Sequence, residues 1–204
     1  MHSNSLLTGT ALFALLSISS AAFGQTGNTS KGHCHPEERV QFSCRIKTKI
    51  VSLCAAGEPG AITSLVYRYG LPGKIENEFV ARTDNSNRFF ATVSPASPGA
   101  SVKQLWFDRG RVRYLLTECV GGNCRQGGGL AVLDGDRVVM NASCAQSAEG
   151  DQAWFARDLI SFGAEEGSGG ADNNIRSTSE LLKIEDADNN LEALFGRSAG
   201  GSTK

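Results

Sequence analysis

The sequence has few residues with the types and spacing that covalent catalysis requires. A serine-type hydrolase needs a nucleophile, a base that accepts its proton and a group that orients the base. Beyond residue 24 only His33 and His35 could act as that base, and both flank Cys34 in one short segment. We therefore expect no nucleophilic triad and assign no catalytic residue.

Paired carboxylates are the second kind of catalytic group that the sequence offers. Glu118, Asp134 and Asp136 fall near predicted strand ends, where loops often gather active groups. A deep pocket that held two of these carboxylates within about 10 Å would favour an envelope hydrolase of the glycosidase kind. This hydrolase is the alternative to a protein that only binds a partner.

The segment His33 to His35 also has side chains that suit zinc or copper. Two imidazoles near an exposed chain end are too few ligands for such an ion. A disulfide at Cys34 would also remove the thiolate between them. The sequence therefore predicts no metal site and no cofactor.

The segment VKQLWFDRGRVRYLLT (residues 102–117) predicts a binding surface. With a hairpin turn at Arg109-Gly110, Trp106 faces Arg113 on the outer side of the sheet, and Arg111 lies nearby. Trp and Arg are the residue types that concentrate binding energy when a partner covers a surface. We expect these three side chains to form the binding site.

Two tyrosines could extend this surface. Tyr67 and Tyr69 share one face of the run LVYRYG, and they could equally belong to the core. Trp106 has alternatives as well, since it could form an ordinary cross-strand pair or be covered by the C-terminal tail.

The chain between about Val40 and Cys144 alternates short β-rich runs with turn residues, which predicts an all-β antiparallel sandwich or barrel. A short helix capped by Asp151 would follow the last strand, with Trp154 and Phe155 packed on the sheet. The predicted β domain spans residues 40–162. About nine strands are expected, near residues 40–46, 49–55, 64–69, 75–81, 88–93, 101–107, 112–118, 128–133 and 137–144.

Both ends of the chain differ in composition from this domain. Residues 1–24 contain an apolar run and a small-residue cleavage motif, which predict a signal peptide, and residues 25–39 form an N-terminal arm. Residues 163–204 are rich in Gly, Ser and acidic side chains, which predicts a disordered tail. Within this tail a short helix over 179–195 is possible from the spacing of its apolar residues, with Ser179 as the N-cap.

The six cysteines predict three disulfides in an exported protein, either periplasmic or secreted. With Lys47-Thr48 as a two-residue turn, Cys44 and Cys54 point to opposite faces of the first hairpin, so they cannot bond to each other. The predicted pairs, among fifteen possible connectivities, are Cys44–Cys144, Cys34–Cys54 and Cys119–Cys124.

The charge of the chain excludes some partners. It has 20 Lys+Arg against 21 Asp+Glu, so no overall field attracts nucleic acid or an anionic membrane. Past the signal region no apolar run is long enough to span a bilayer. We expect a protein partner, recognised by a local surface, while the oligomeric state stays open.

The first hairpin, ERVQFSCRIKTKIVSLC, with the following LVYRYG, resembles small exported bacterial proteins that have paired cysteines in a hairpin. It is also loosely similar to the C-type periplasmic lysozyme inhibitors. That likeness implies a small β-barrel that blocks an enzyme cleft with a few polar residues. Together these observations predict an exported binding module of the bacterial envelope, either an inhibitor or an immunity-like protein.

Overall fold

The computed structural model describes residues 32–97, 99–121, 128–145, 155, 159–162, 175–177 and 179–185. These residues are all-β and contain no helix. All nine predicted strands are confirmed, and three short strands follow them. The strands are β1 Arg39–Ile46, β2 Lys49–Glu58, β3 Ala61–Leu71, β4 Lys74–Arg82, β5 Phe89–Ser97, β6 Ala100–Arg109, β7 Val112–Gly121, β8 Gly128–Asp134, β9 Arg137–Ser143, β10 Ile160–Phe162, β11 Ile175–Ser177 and β12 Leu182–Ile184.

The strands form two main sheets that pack as a sandwich, not the closed barrel that the sequence left open. The first sheet has the order β1-β2-β3-β4, and the second has the order β12-β5-β6-β7-β8-β9. Alternate side chains of both sheets point into one shared core. At its centre the rings of Phe79 and Phe107 stack at 4.1 Å, and Tyr67 lies 4.9 Å from Phe107.

The first hairpin has the predicted turn. Ile46 pairs with Lys49, and Lys47 adopts a φ of 55° in the two-residue loop. Cys44 opposite Val51 points into the core, as expected. The predicted register is wrong beyond Phe42, because a bulge at Gln41 shifts the pairing and places Val40 opposite Cys54.

Two of the predicted disulfides are confirmed. Cys34 bonds to Cys54, and Cys44 bonds to Cys144 across a sequence separation of 100 residues. Cys119 is also disulfide-bonded, but Cys124, its predicted partner, lies outside the described residues. The bond from Cys44 to Cys144 ties the edge strand of the first sheet to the chain that leaves β9.

The prediction of a helix after the last main strand is not supported. Residues 160–162 form β10, which pairs with β11, and Phe155 is buried 5.1 Å from the ring of Phe42. Asp151 and Trp154 lie outside the described residues.

The predicted disorder and helix in the tail are wrong where the structure describes it. Residues 182–184 form β12, which pairs in parallel with β5. The edge of β5 offers backbone hydrogen bonds, and Leu181 and Leu182 bury themselves in the core, so this segment is a strand instead of a helix start. The remainder of 179–195 and the signal segment 1–24 lie outside the described residues.

The hairpin of β6 and β7 has a turn one residue later than predicted. Arg109 pairs with Val112, so Gly110 and Arg111 form the loop and Gly110 supplies the positive φ of 60°. Trp106 consequently lies opposite Leu115 and not opposite Arg113. Within the described ranges, no helix has both the length and the apolar character needed to cross a membrane.

Candidate functional site

An open groove of about 520 Å³ lies where the β1–β2 turn meets β9. The disulfide from Cys44 to Cys144 and the hydrogen bond from the Ala145 N–H to the Arg45 carbonyl, at 2.7 Å, fix this side of the sandwich. The groove therefore has walls from both sheets. Its lining residues are Ile46, Lys47, Thr48, Lys49, Tyr69, Met140, Asn141, Ala142 and Ser143.

The groove combines an apolar floor with a cationic rim. Met140 and Ala142 pack against the core, whereas Lys47 stands exposed in the turn and makes no ion pair with a described residue. Lys49 bonds to Glu76 at 2.5 Å and lies 5.2 Å from the ring centre of Tyr69. The hydrogen bond with Glu76 raises the pKa of Lys49, which favours its charged form. Among the residues that the structure describes, no carboxylate lines the groove.

The groove runs along β9, which is the edge strand of the second sheet among the described residues. The Cys144 N–H donates to the Gly128 carbonyl of the β8 side at 2.9 Å. Because backbone groups alternate in direction along an antiparallel strand, Ala142 also faces β8, and the backbone of Asn141 faces away from the sheet. No described strand pairs with this edge of β9.

The outer face of the first sheet is covered by the N-terminal arm, residues 32–38. Arg68 is only 5% exposed and donates two hydrogen bonds to the Glu38 carboxylate, at 2.5 and 2.9 Å. It also donates to Glu78 and to the His33 carbonyl. Together with the bond from Cys34 to Cys54, these contacts fix the arm to the sheet.

The Glu38 carboxylate is held in its charged form in this clasp. Burial opposes ionisation, but the hydrogen bonds from Arg68 and from the His35 backbone outweigh it, so the pKa of Glu38 lies below its usual value. A side chain at Gly32 would meet the Ser43 and Ser52 hydroxyl oxygens at 2.8 and 2.9 Å. The arm is thus a structural cover that leaves little space beneath it.

The structure does not bring the five residues of the predicted binding surface together in one exposed patch. Trp106 is 1% exposed, and Arg113 lies over its ring at 5.1 Å while bonding to Asp108. These residues lie on the outer face of the second sheet, where Arg111 is exposed at the nearby turn. The sequence correctly predicted that Trp106 points outward from the sheet. It did not predict that this side chain is buried there.

The two predicted tyrosines lie on the other side of this sheet, in the space between the layers. Tyr67 is 1% exposed in the core, where burial raises the pKa of its hydroxyl. Tyr69 is half-buried and lines the groove. Of the five residues predicted to bind, Tyr69 alone contributes to the groove.

Two of the three carboxylates proposed for a hydrolase, Glu118 and Asp134, lie too far apart to act as a catalytic pair. Glu118 lies opposite Gly128, and Asp134 lies opposite Val112, six residues away along β7. At about 3.3 Å per residue this separates them by about 20 Å, twice the reach of paired catalytic carboxylates.

Each of these two carboxylates also has a structural partner. Glu118 is 2% exposed, accepts a hydrogen bond from Lys103 at 3.0 Å and accepts another from the Phe155 N–H at 2.7 Å. Asp134 binds Arg137 and Arg111, and these hydrogen bonds lower its pKa. Asp136 is exposed in the turn after β8.

The other candidate metal ligands and bases that the structure describes are held in structural contacts. The side-chain atoms of Cys34, Glu38 and Cys54 lie within 4.8 Å of one another, but the two sulfurs are bonded together and the carboxylate holds Arg68. The ring of His33 is buried and lies 3.2 Å from the Gly70 carbonyl. A Gly-x-Ser-x-Gly pattern occurs at 196–200, outside the described residues.

Comparison of the chain with models of protein families, with curated proteins and with solved structures finds no match.

The groove itself was missed at the sequence level, although one signal pointed to it. The predicted bond between Cys44 and Cys144 already places the β1–β2 turn beside the end of β9. Lys47 and Asn141 lie three residues from these cysteines, on the turn and on the edge strand. Combining the disulfide with the hairpin register would have indicated a shared surface.

Proposed function

We propose that this protein is an exported binding module that holds an extended, acidic segment of a protein partner in the groove between the β1–β2 turn and β9. The observation that carries the proposal is the combination of a cationic rim, an apolar floor and an adjacent edge strand. Addition of a strand to a sheet edge supplies backbone hydrogen bonds, and neighbouring pockets select side chains. The two disulfides support an oxidising, exported environment.

The charge of the rim favours a negatively charged partner. Lys47 and Lys49 are the charged residues of the described lining, and of these two only Lys49 forms an ion pair with a described residue, Glu76. An acidic side chain near Lys47 would therefore gain an ion pair at no cost to an existing one. Such an exposed pair contributes up to about 1 kcal/mol.

The experiment uses two charge reversals at comparable hairpin turns. The chain from residue 25 onward is immobilised and exposed to envelope extract, and the captured partner is then titrated against the variants. Lys47→Glu should weaken binding about fivefold or more, since it replaces attraction with repulsion. Arg111→Glu, at the β6–β7 turn, should leave binding unchanged. The reverse result would move the binding surface to the site first predicted from sequence.

The edge strand is tested separately by Asn141→Pro. Because the Asn141 N–H faces away from β8, proline removes a donor from the edge but keeps the ladder within the sheet. We expect partner binding to fall while the unfolding midpoint changes little. Unchanged binding would exclude strand addition at β9.

The resemblance of the first hairpin to lysozyme inhibitors supports a finer proposal, in which the partner is an envelope enzyme that the module inhibits. The direct test is the rate at which a C-type lysozyme clears a cell-wall suspension, with and without the protein. Inhibition that Lys47→Glu abolishes supports the finer proposal. An unchanged clearing rate would exclude C-type lysozymes as the partner. The broader binding proposal would then be tested by the capture experiment alone.

A further inference from the structure

The strand β4 is the edge of the first sheet among the described residues. Beyond its end, the Thr83 N–H donates to the Thr63 carbonyl on the β3 side at 3.4 Å. Because backbone groups alternate in direction along an antiparallel strand, the N–H and carbonyl groups of Glu78, Val80 and Arg82 face away from β3. Outward groups of this kind can pair with a strand of another chain unless something covers them.

Two asparagines of the loop 83–88 cover one end of this edge. The side-chain amides of Asn85 and Asn87 donate to the Val80 carbonyl at 3.3 and 2.7 Å. The side-chain oxygen of Asn85 accepts a hydrogen bond from the Arg82 N–H at 3.1 Å, and the Asn85 N–H donates to the Arg82 carbonyl at 3.2 Å. The outward groups at this end of β4 are therefore already bonded within the chain.

Arg109, at the end of β6 in the second sheet, covers the middle of the same edge. Its guanidinium donates to the Glu78 carbonyl and to the side-chain oxygen of Asn77, the latter at 2.9 Å. The guanidinium also lies 5.8 Å from the ring centre of Phe79. Because the Glu78 carbonyl faces away from β3, the arginine occupies space that a further strand, about 4.8 Å away, would need.

We propose that Arg109, Asn85 and Asn87 keep the β4 edge closed, so that two copies of this chain do not pair through it. The three side chains come from two separate elements, yet they bond to successive outward carbonyls of one strand. Exposed charged side chains on an edge strand also oppose pairing, and β4 carries several of them. Closure of this edge does not depend on what the groove beside β9 binds.

Self-association distinguishes a closed edge from a simple structural tie between the sheets, because loss of a tie alone would change stability only. Sedimentation equilibrium measures the mass in solution from micromolar to millimolar concentration. In Arg109→Met/Asn85→Ala/Asn87→Ala, the mass should rise with concentration toward about twice that of the parent chain. Methionine keeps an apolar contact with the Phe79 ring but donates no hydrogen bond.

The matched control is Arg137→Met/Asp84→Ala/Ser86→Ala. It changes an exposed turn arginine and two exposed residues of the same loop. Its mass should equal that of the parent at every concentration. Val80→Pro, added to the first variant, should restore the parent mass, because proline removes the outward N–H and keeps the pairing with β3.

Association of the first variant that Val80→Pro reverses supports the proposal. A first variant that is folded by circular dichroism but keeps the parent mass overturns it, and so does association that the control shares or that Val80→Pro leaves unchanged. If the first variant unfolds, Arg109→Met alone replaces it, since this change frees the Glu78 carbonyl and leaves the loop intact. A mass that rises with concentration then supports the proposal, and a constant mass overturns it.

Discussion

The two described disulfides should differ in their contribution to stability, because they close loops of very different length. The pair Cys44–Cys144 spans 100 residues, and the pair Cys34–Cys54 spans 20. In the chain-entropy model, closing these loops in the unfolded chain stabilises the fold by about 4.7 and about 3.3 kcal/mol, respectively, at 25 °C. Cys44 and Cys54 are both fully buried, so replacing either disulfide by two alanines should cost about the same packing energy. The expected difference is about 1.4 kcal/mol.

The measurement compares Cys44→Ala/Cys144→Ala with Cys34→Ala/Cys54→Ala in urea at fixed pH. The free energy of unfolding of each double variant is extrapolated to water and subtracted from that of the parent chain. The first variant should lose more stability than the second. Equal losses, or a greater loss for the variant of the arm, would refute the loop-length argument and assign the stabilisation to local contacts of the arm.

Three further outcomes follow from the structure. Glu38→Gln should lower the free energy of unfolding by about 2 kcal/mol at neutral pH, because it removes charged hydrogen bonds to Arg68. The folded pKa of Glu38 lies below 4.5, so the parent chain should lose this extra stability as the pH falls through that lowered value. Urea unfolding of the two chains should then give the same free energy in acid. Phe107→Ala should cost about 3–5 kcal/mol in thermal or urea unfolding, since the ring stacks on its neighbours in the core; a loss below 1 kcal/mol would contradict the packing. Gly57→Ala should lower the free energy of unfolding in urea clearly more than Gly60→Ala does. Both glycines have positive φ, but only at Gly57 would the added Cβ lie 2.5 Å from a carbonyl oxygen.

Local rules predicted the strands and the direction of the first cysteines. Turn residues mark the strand ends, and the two-residue turn at Lys47-Thr48 fixes which side chains share a face. The opposite directions of Cys44 and Cys54 followed from this parity, and so did the two confirmed disulfides. The bulge at Gln41 carried no local signal, so pairing beyond it was misplaced.

The alternation of side chains along a strand does not predict which segments cover the face of a sheet. The alternation along β6 correctly placed Trp106 on the outer face, but alternation does not say whether another segment covers that face. The same limit applies to Arg68, which lies beneath the arm. In the tail, the intervals between Leu181 and Ile184 favoured a helix, whereas the open edge of β5 selected a strand. These outcomes depend on contacts between distant parts of the chain.

The order of the bonded cysteines constrains how this protein forms its disulfides. Along the chain the partners interleave, since Cys44 lies inside the loop closed by Cys34 and Cys54 while its own partner emerges only at Cys144. A thiol oxidase that joined cysteines in order of their arrival would link Cys34 to Cys44. The native pattern therefore requires either that Cys44 stay reduced until Cys144 is available, or that a disulfide isomerase repair the early error.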